Sequence, residues 1–242
     1  MLTALFWGTL AAIPLLLGAL ISMRWRLSKK FIGFIMAFGV GVLISAIAFE
    51  LIEEAFDTAG ASPSLAIGLA AGGLTFFVGD LLLSYQGGQR RKNSTGKGGS
   101  TPLAIVLGSV LDGIPESIVI GLGIVHGGAV SIAMLIAVFL SNLPEAIGAT
   151  SGMLKHGWHK LPIISMWSFV VVVSGLSSLV GYVIFDTASA NTVAFTLAFS
   201  AGALLTMVSN TMMPEAYDDA GLAAGIITTL GFGVAFWINI LQ

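Results

Sequence analysis

The chain has 242 residues, of which 56% are hydrophobic and only 9% are charged, and its mean hydropathy is +0.98. Soluble domains carry about 25% charged residues, so this composition excludes an ordinary soluble protein and favours a chain whose surface faces lipid. The formal net charge of −2 gives no indication of nucleic-acid binding, and the sequence has no basic patch with interleaved aromatics. The absence of Cys excludes disulfides and thiolate metal ligands.

Eight apolar segments follow one another along the chain, each close to the roughly 20 residues that a helix needs to cross a bilayer. They predict an all-α fold and a single transmembrane domain, 1–242. The first segment follows no basic stretch and has no small-residue cleavage site, so we interpret it as a span rather than a removed signal peptide. The predicted spans are 3–23, 31–53, 63–84, 102–125, 128–153, 161–185, 192–214 and 222–241.

All ten Lys and Arg residues lie in three of the loops between these spans, and with eight spans the three loops are on the same side. Cytoplasmic loops carry the excess of Lys and Arg in membrane proteins. We therefore expect a multi-pass protein of the cell (inner) membrane with both termini outside the cytoplasm. The ten cations are Arg24, Arg26, Lys29 and Lys30 after span 1, Arg90, Arg91, Lys92 and Lys97 after span 3, and Lys155 and Lys160 after span 5.

Spans 2 and 7 match without gaps when 37–60 is aligned with 198–221, and nine of the 24 aligned positions are identical. The match includes the polar tail E-A-[FY]-D-x-A-G, which begins at Glu54 and at Glu215. The two spans are an odd number of crossings apart, so the copies run in opposite directions. Inverted repeats of this kind are typical of transporters, whose substrate site lies near the midplane between the halves. The alternative is a chance similarity between helices rich in Ala, Gly and Leu.

Spans 4 and 5 share a second pattern, again without gaps. The sequence L-D-G-I-P-E-S-I begins at Leu111, and L-S-N-L-P-E-A-I begins at Leu140. Adjacent spans are antiparallel, so the two Pro-Glu pairs form an inverted couple. The whole chain is therefore predicted to have eight transmembrane helices in a 3+2+3 inverted-repeat arrangement.

Each Pro-Glu pair places a carboxylate well inside apolar sequence, where a charge costs at least ~2.5–3.5 kcal/mol. Pro115 and Pro144 lack an N–H and are expected to kink their helices, which exposes a backbone carbonyl. Further polar residues lie three or four positions before each glutamate and therefore share its helical face. The predicted metal ligands are Asp112, Glu116, Ser141, Asn142 and Glu145.

Three carboxylates with no Lys or Arg in any span to pair with would repel one another, and a bound cation would neutralise them. The alternative, for a single buried glutamate, is a protonated carboxyl that hydrogen-bonds to backbone and has a structural role only. Two Pro-Glu pairs on neighbouring antiparallel helices, with Asp112 one turn before the first, favour the cation site.

The arrangement resembles the Zrt/Irt-like (ZIP) family of divalent-metal transporters, whose spans 4 and 5 each carry a His-Asn-x-Pro-Glu-Gly-type motif. The resemblance covers the eight-span layout, the outward termini and both Pro-Glu motifs. It implies that Glu116 and Glu145 bind metal at the midplane and that Asn142 matches a position that is Asn or Asp in the family. Asp112 and Ser141 stand where the family usually has His or another ligand. Both motif histidines are absent here, and an all-oxygen ligand set suits Mn, Mg or Ca better than a His-rich set does.

The resemblance and the inverted duplication predict a transporter that moves a divalent metal cation (Zn, Mn, Fe or a similar ion) by alternating access. Its partners would be this ion, as transported substrate and not as a prosthetic group, and the lipid bilayer, with no nucleic acid and no enzymatic activity. Two alternatives stay open. One is a transporter of another solute that uses the carboxylates for proton or sodium coupling, and the other is an intramembrane enzyme with paired catalytic acids. The oligomeric state is also left open, a homodimer included.

Polar residues outside the two motifs lie mainly in spans 2 and 7. Glu50 and Asn210 are candidates for lining the vestibules at the two ends of the path. The acidic residues at the ends of these spans either attract cations electrostatically or are simply solvated, and the sequence supports both interpretations equally.

Overall fold

A computed structural model describes residues 1–25, 27–85, 102–127 and 131–241. These residues form helices and turns and contain no strand, and eight helices among them are long and apolar enough to span a membrane. Five of the ten cations, Arg26 and the four in 86–100, lie outside the described residues. The helices are α1 (Leu2–Arg24), α2 (Lys29–Ala59), α3 (Pro63–Tyr85), α4 (Pro102–Gly127), α5 (Ile132–Lys155), α6 (Lys160–Phe185), α7 (Ala190–Ala220) and α8 (Ala223–Ile240).

Helices α2 and α7 are longer than the spans 31–53 and 192–214 that the sequence predicts. Both continue through their acidic tails and end at a glycine with positive φ, 63° at Gly60 and 65° at Gly221. Glycine adopts this conformation without steric penalty and commonly terminates helices. Hydropathy identifies the apolar middle of a helix and not its polar end, which accounts for the difference.

Helices α2 and α7 also share an internal plan. Each begins after a serine, Ser28 or Ser189, whose hydroxyl accepts a hydrogen bond from the backbone N–H three residues later. Each is interrupted by a π-helical segment, Ile47–Ile52 in α2 and Val208–Met212 in α7. The capping serines, the starts of the π segments and the terminal glycines all occupy equivalent positions when the alignment of spans 2 and 7 is extended without gaps.

The helices pack as two groups of four. In the first bundle, α1 packs against α5 and α6, and α4 packs against α6. In the second bundle, α2 packs against α8, α3 packs against α7, and α2 contacts α7 near the acidic tail of each helix. The main contact between the bundles in the described residues joins α2 to α5.

Two glycines illustrate the close approaches of helices within the second bundle. A β-carbon at Gly41 on α2 would overlap the carbonyl of Thr228 on α8, and one at Gly202 on α7 would overlap the carbonyl of Leu69 on α3. The backbones of these helix pairs therefore touch directly, as small residues allow in membrane helix packing. Gly41 and Gly202 are again equivalent positions in the alignment of spans 2 and 7.

Candidate functional site

Both Pro-Glu pairs lie on helices of the first bundle, and the helical structure of α4 and α5 continues on either side of Pro115 and Pro144. A proline cannot donate to the carbonyl four residues earlier, so Pro144 leaves the carbonyl of Leu140 without that partner. This carbonyl lies against α2, because a β-carbon at Gly39 would be only 2.7 Å from its oxygen. The freed carbonyl therefore contributes to the contact between the bundles.

Glu116 is the most deeply buried acid of the predicted site, with 2% of its surface exposed. Its Oε1 accepts a hydrogen bond from the hydroxyl of Ser141 on α5, over 3.3 Å. The Ser141 hydroxyl also lies 3.0 Å from the carbonyl oxygen of Val138. A hydroxyl has one proton, so Ser141 shares it between the carboxylate and its own helix.

Glu145 is half-buried, and its Oε1 accepts a hydrogen bond from the hydroxyl of Ser109 on α4, over 3.3 Å. Ser109 is 3% exposed and was not among the predicted site residues. It lies three residues before Asp112 and seven before Glu116, and this spacing places all three on one helical face. Each motif glutamate is thus bonded to a hydroxyl on the other helix.

Asp112 is 5% exposed and lies close enough to Glu116 to interact with it electrostatically, as Glu145 does. The structure therefore brings the three predicted carboxylates into one neighbourhood. The sequence has no Lys or Arg between Lys97 and Lys155, so α4 and α5 supply no cation to this neighbourhood before the last residue of α5. A cation from outside the two helices would lower the repulsion between the acids.

Asn142 is buried, but the partner that its amide group contacts lies on a third helix. Its Nδ2 donates to the backbone carbonyl of Ala11 on α1, over 3.3 Å. This bond ties α5 to α1 and fixes the orientation of the amide. The Oδ1 atom is the part of Asn142 that can still serve as a ligand, since Nδ2 is a donor only.

The three acids are close enough to interact electrostatically, but they do not converge on one point. In the described ranges, no group of three or more His, Asp or Glu side chains is arranged to hold a metal ion by itself. Ser141 and Glu145 are four residues apart on α5, which corresponds to about 6 Å along the helix axis. Ser109 and Glu116 are seven residues apart on α4, which corresponds to about 10 Å. An ion in this region would need hydroxyl, amide or backbone oxygens to complete its ligand set.

Glu50 and Asn210, the two vestibule candidates on α2 and α7, both lie in π segments. Glu50, in the π segment of α2, accepts a hydrogen bond over 3.0 Å from the Asn239 side chain of α8, inside the second bundle. Asn210, in the π segment of α7, is exposed. Of the histidines, His126 lies in the last turn of α4, whereas His156 and His159 lie between α5 and α6.

Comparison with protein-family models and with curated proteins finds no match for this chain. The functional interpretation therefore depends on the residues of the site and on their geometry. The feature with the greatest weight is the reciprocal bonding of Glu116 to Ser141 and of Glu145 to Ser109.

Proposed function

We propose that this protein is a transporter of divalent metal cations, similar to the ZIP family, and that the ion binds between α4 and α5. The observation that carries the proposal is the pair of glutamates on two membrane-spanning helices, each bonded to a serine hydroxyl of the opposite helix. Intramembrane carboxylates are costly and mark ion or proton pathways. Two carboxylates close to a third acid, Asp112, give this pathway a strong preference for positive charge.

The ligand set that we propose consists of oxygens alone. Glu116 and Glu145 supply charge, Asp112 adds a third carboxylate, and Ser141 and Asn142 supply neutral oxygens. Carboxylate, hydroxyl and amide oxygens are hard ligands, which suit Mn, Mg and Ca and bind Zn with less selectivity than imidazole does. We therefore propose Mn²⁺ as the first ion to test, with Zn²⁺ and Fe²⁺ next.

We further propose that the chain is a 3+2+3 inverted repeat that works by alternating access. The support is the common plan of α2 and α7, whose capping serines, π segments and terminal glycines all follow the alignment of spans 2 and 7. The packing supports this proposal, since α2 packs against α8 as α7 packs against α3, and α1 packs against α5 as α6 packs against α4. In this mechanism the first bundle carries the site and moves against the second bundle along the α2–α5 contact.

The orientation that we propose is cytoplasmic for the loops that carry the ten cations and extracytoplasmic for both termini, in the cell (inner) membrane. Under this orientation α4 runs outward and α5 runs inward. Ser109 and Glu145 then lie nearer to the cytoplasm than Glu116 and Ser141 do.

A second candidate function is the transport of another solute coupled to Na⁺ or protons. The observation in its favour is that no three acids in the described ranges are arranged to hold a metal ion, while two hydroxyl–carboxylate pairs are present. A monovalent ion needs fewer charged ligands than a divalent one, because it neutralises only one carboxylate.

The thermal stability of the detergent-purified protein separates the two functions. A ligand that binds only the folded state stabilises it by about 2.7 kcal/mol at about 100 times its Kd. We expect Mn²⁺ at micromolar to millimolar concentration to raise the Tm of the wild type and to have no effect on Glu116→Gln. Stabilisation by Na⁺ with none by Mn²⁺, Zn²⁺ or Fe²⁺ would favour the second candidate.

A further inference from the structure

We propose that the hydroxyl of Ser109 is a ligand of the transported cation. Together with Glu145 of α5, it forms a binding position at one end of the site. This inference rests on the proposed function, because it assigns a further ligand to the same ion path. Ser109 is only 3% exposed, and its Oγ lies 3.3 Å from Oε1 of Glu145.

The position of Ser109 extends the polar face of α4 by one turn. Ser109, Asp112 and Glu116 are at i, i+3 and i+7, so the face runs about 10 Å along the helix axis. The two hydroxyl–carboxylate pairs lie at its two ends, Glu116 with Ser141 at one and Glu145 with Ser109 at the other. Asp112 lies between the ends. An ion that moves along this face therefore meets a carboxylate oxygen at each turn.

The distance between the two oxygens fits a shared cation. Two oxygens 3.3 Å apart subtend about 90° at an ion that lies about 2.3 Å from each, the angle between neighbouring ligands in octahedral coordination. Only the hydroxyl proton has to turn away for Ser109 to present a lone pair to the ion. The hydroxyl thus satisfies the Glu145 carboxylate when no ion is present and binds the ion without movement of its oxygen.

A purely structural role for Ser109, as a hydrogen bond between two helices, predicts different chemistry. If Ser109 is a ligand, replacing its oxygen by another ligand atom changes the metal preference of the site. If Ser109 only joins two helices, the metal preference stays the same. The Ser109→Cys variant distinguishes these roles, because a thiolate is a soft ligand that prefers Cd²⁺ and Zn²⁺ over Mn²⁺. The chain has no native Cys, so the thiol in this variant would be unique.

The experiment uses the full-length protein in detergent, as wild type, Ser109→Cys and the control Ser117→Cys. Ser117 is a serine of the same helix with similar burial, 4% exposed, but it lies about 80° away from Ser109 around the helix axis. Cd²⁺ is titrated while the ultraviolet charge-transfer absorption of a Cd–thiolate bond is recorded, and Mn²⁺ is then added in competition. We expect Ser109→Cys to develop the absorption with one Cd²⁺ per chain and to prefer Cd²⁺ over Mn²⁺ at least about tenfold more than the wild type does. Ser117→Cys should show neither change.

Two results together overturn the inference: Ser109→Cys shows no Cd–thiolate absorption, and its preference for Cd²⁺ over Mn²⁺ equals that of the wild type. If Ser109→Cys does not fold, Ser109→Thr and Ser109→Ala give the answer. A ligand role predicts that Thr keeps the Mn²⁺ affinity within about twofold and that Ala weakens it about tenfold, and an Ala variant with wild-type affinity overturns it. Failure of the wild type to bind either ion would overturn the proposed function itself, whereas binding by the wild type with no effect at Ser109 overturns this inference alone.

Discussion

The Ser141 hydroxyl of α5 lies 3.3 Å from the Glu116 carboxylate of α4, so the two Pro-Glu helices are joined by a hydrogen bond inside the bundle. Ser109 and Glu145 form the second such bond. Because the residue number rises along α4 from Ser109 to Glu116 while it falls along α5 from Glu145 to Ser141, the two bonds fit an antiparallel helix pair.

Removal of the Ser141 hydroxyl should destabilise the ion-free protein. Side-chain hydrogen bonds between membrane helices contribute about 0.6 kcal/mol on average and up to about 1.7 kcal/mol. We expect Ser141→Ala to lower the free energy of unfolding by about 1 kcal/mol, with a smaller loss in the Glu116→Leu background. A double-mutant cycle measured by chemical denaturation in detergent checks the coupling. Strictly additive effects would show that the two side chains do not interact.

The proposed orientation of the chain predicts opposite labelling at two turns that flank α6. His156, which follows α5, and Thr187, which follows α6, are both exposed. We expect a membrane-impermeant maleimide to label Thr187→Cys in intact cells, and to label His156→Cys only after the cells are permeabilised. The absence of native Cys gives a clean background. Labelling of His156→Cys in intact cells would reverse the assigned orientation.

Gly39 and Gly148 form a matched pair for testing the contact between the bundles. A β-carbon at position 39 would lie 2.7 Å from the Leu140 carbonyl oxygen, whereas one at position 148 would meet nothing within 4 Å. We expect Gly39→Ala to lower the free energy of unfolding by about 1–3 kcal/mol, the usual cost of overpacking. Gly148→Ala should not lower it, because Ala is favoured over Gly in helices. Equal effects of the two substitutions on Tm would argue against a tight α2–α5 contact.

The metal preference should respond to imidazole at two positions. Imidazole binds Zn²⁺ strongly, whereas carboxylate and hydroxyl oxygens discriminate less between Zn²⁺ and Mn²⁺. We expect Asp112→His and Ser141→His each to shift the preference toward Zn²⁺ by about tenfold or more. Competition of Zn²⁺ and Mn²⁺ against a common tracer measures the shift. An unchanged ratio in both variants would mean that neither side chain touches the ion.

The eight helices could be predicted from hydropathy alone, because the cost of burying charge in lipid leaves long apolar segments bounded by polar loops. The ends of α2 and α7 could not, since the acidic tails before Gly60 and Gly221 are polar and yet helical. The two π segments also carry no Gly or Pro that would mark them. Their geometry depends on packing against neighbouring helices, which a single sequence does not reveal.

The site was predictable in part. Helical spacing and the Pro-Glu repeat identify Asp112, Glu116, Ser141 and Glu145, and the structure gives each of the two glutamates a partner on the opposite helix. Ser109 could not be predicted from the repeat, because the equivalent residue in the alignment of spans 4 and 5 is the apolar Val138. The bond from Asn142 to the carbonyl of Ala11 joins residues far apart in the chain and follows from tertiary packing alone.

Uptake of Mn²⁺ into proteoliposomes tests the central claim most directly. Purified wild type, Glu116→Gln and Asp186→Asn are reconstituted in parallel, the last as a control whose exposed carboxylate lies in the turn between α6 and α7. We predict saturable uptake by the wild type, a loss of at least about a hundredfold in Glu116→Gln because a charged ligand is removed, and uptake close to wild type in Asp186→Asn. Uptake by Glu116→Gln at the wild-type rate, or none by any of the three folded proteins for Mn²⁺, Zn²⁺ and Fe²⁺, would contradict the claim that α4 and α5 carry a divalent cation.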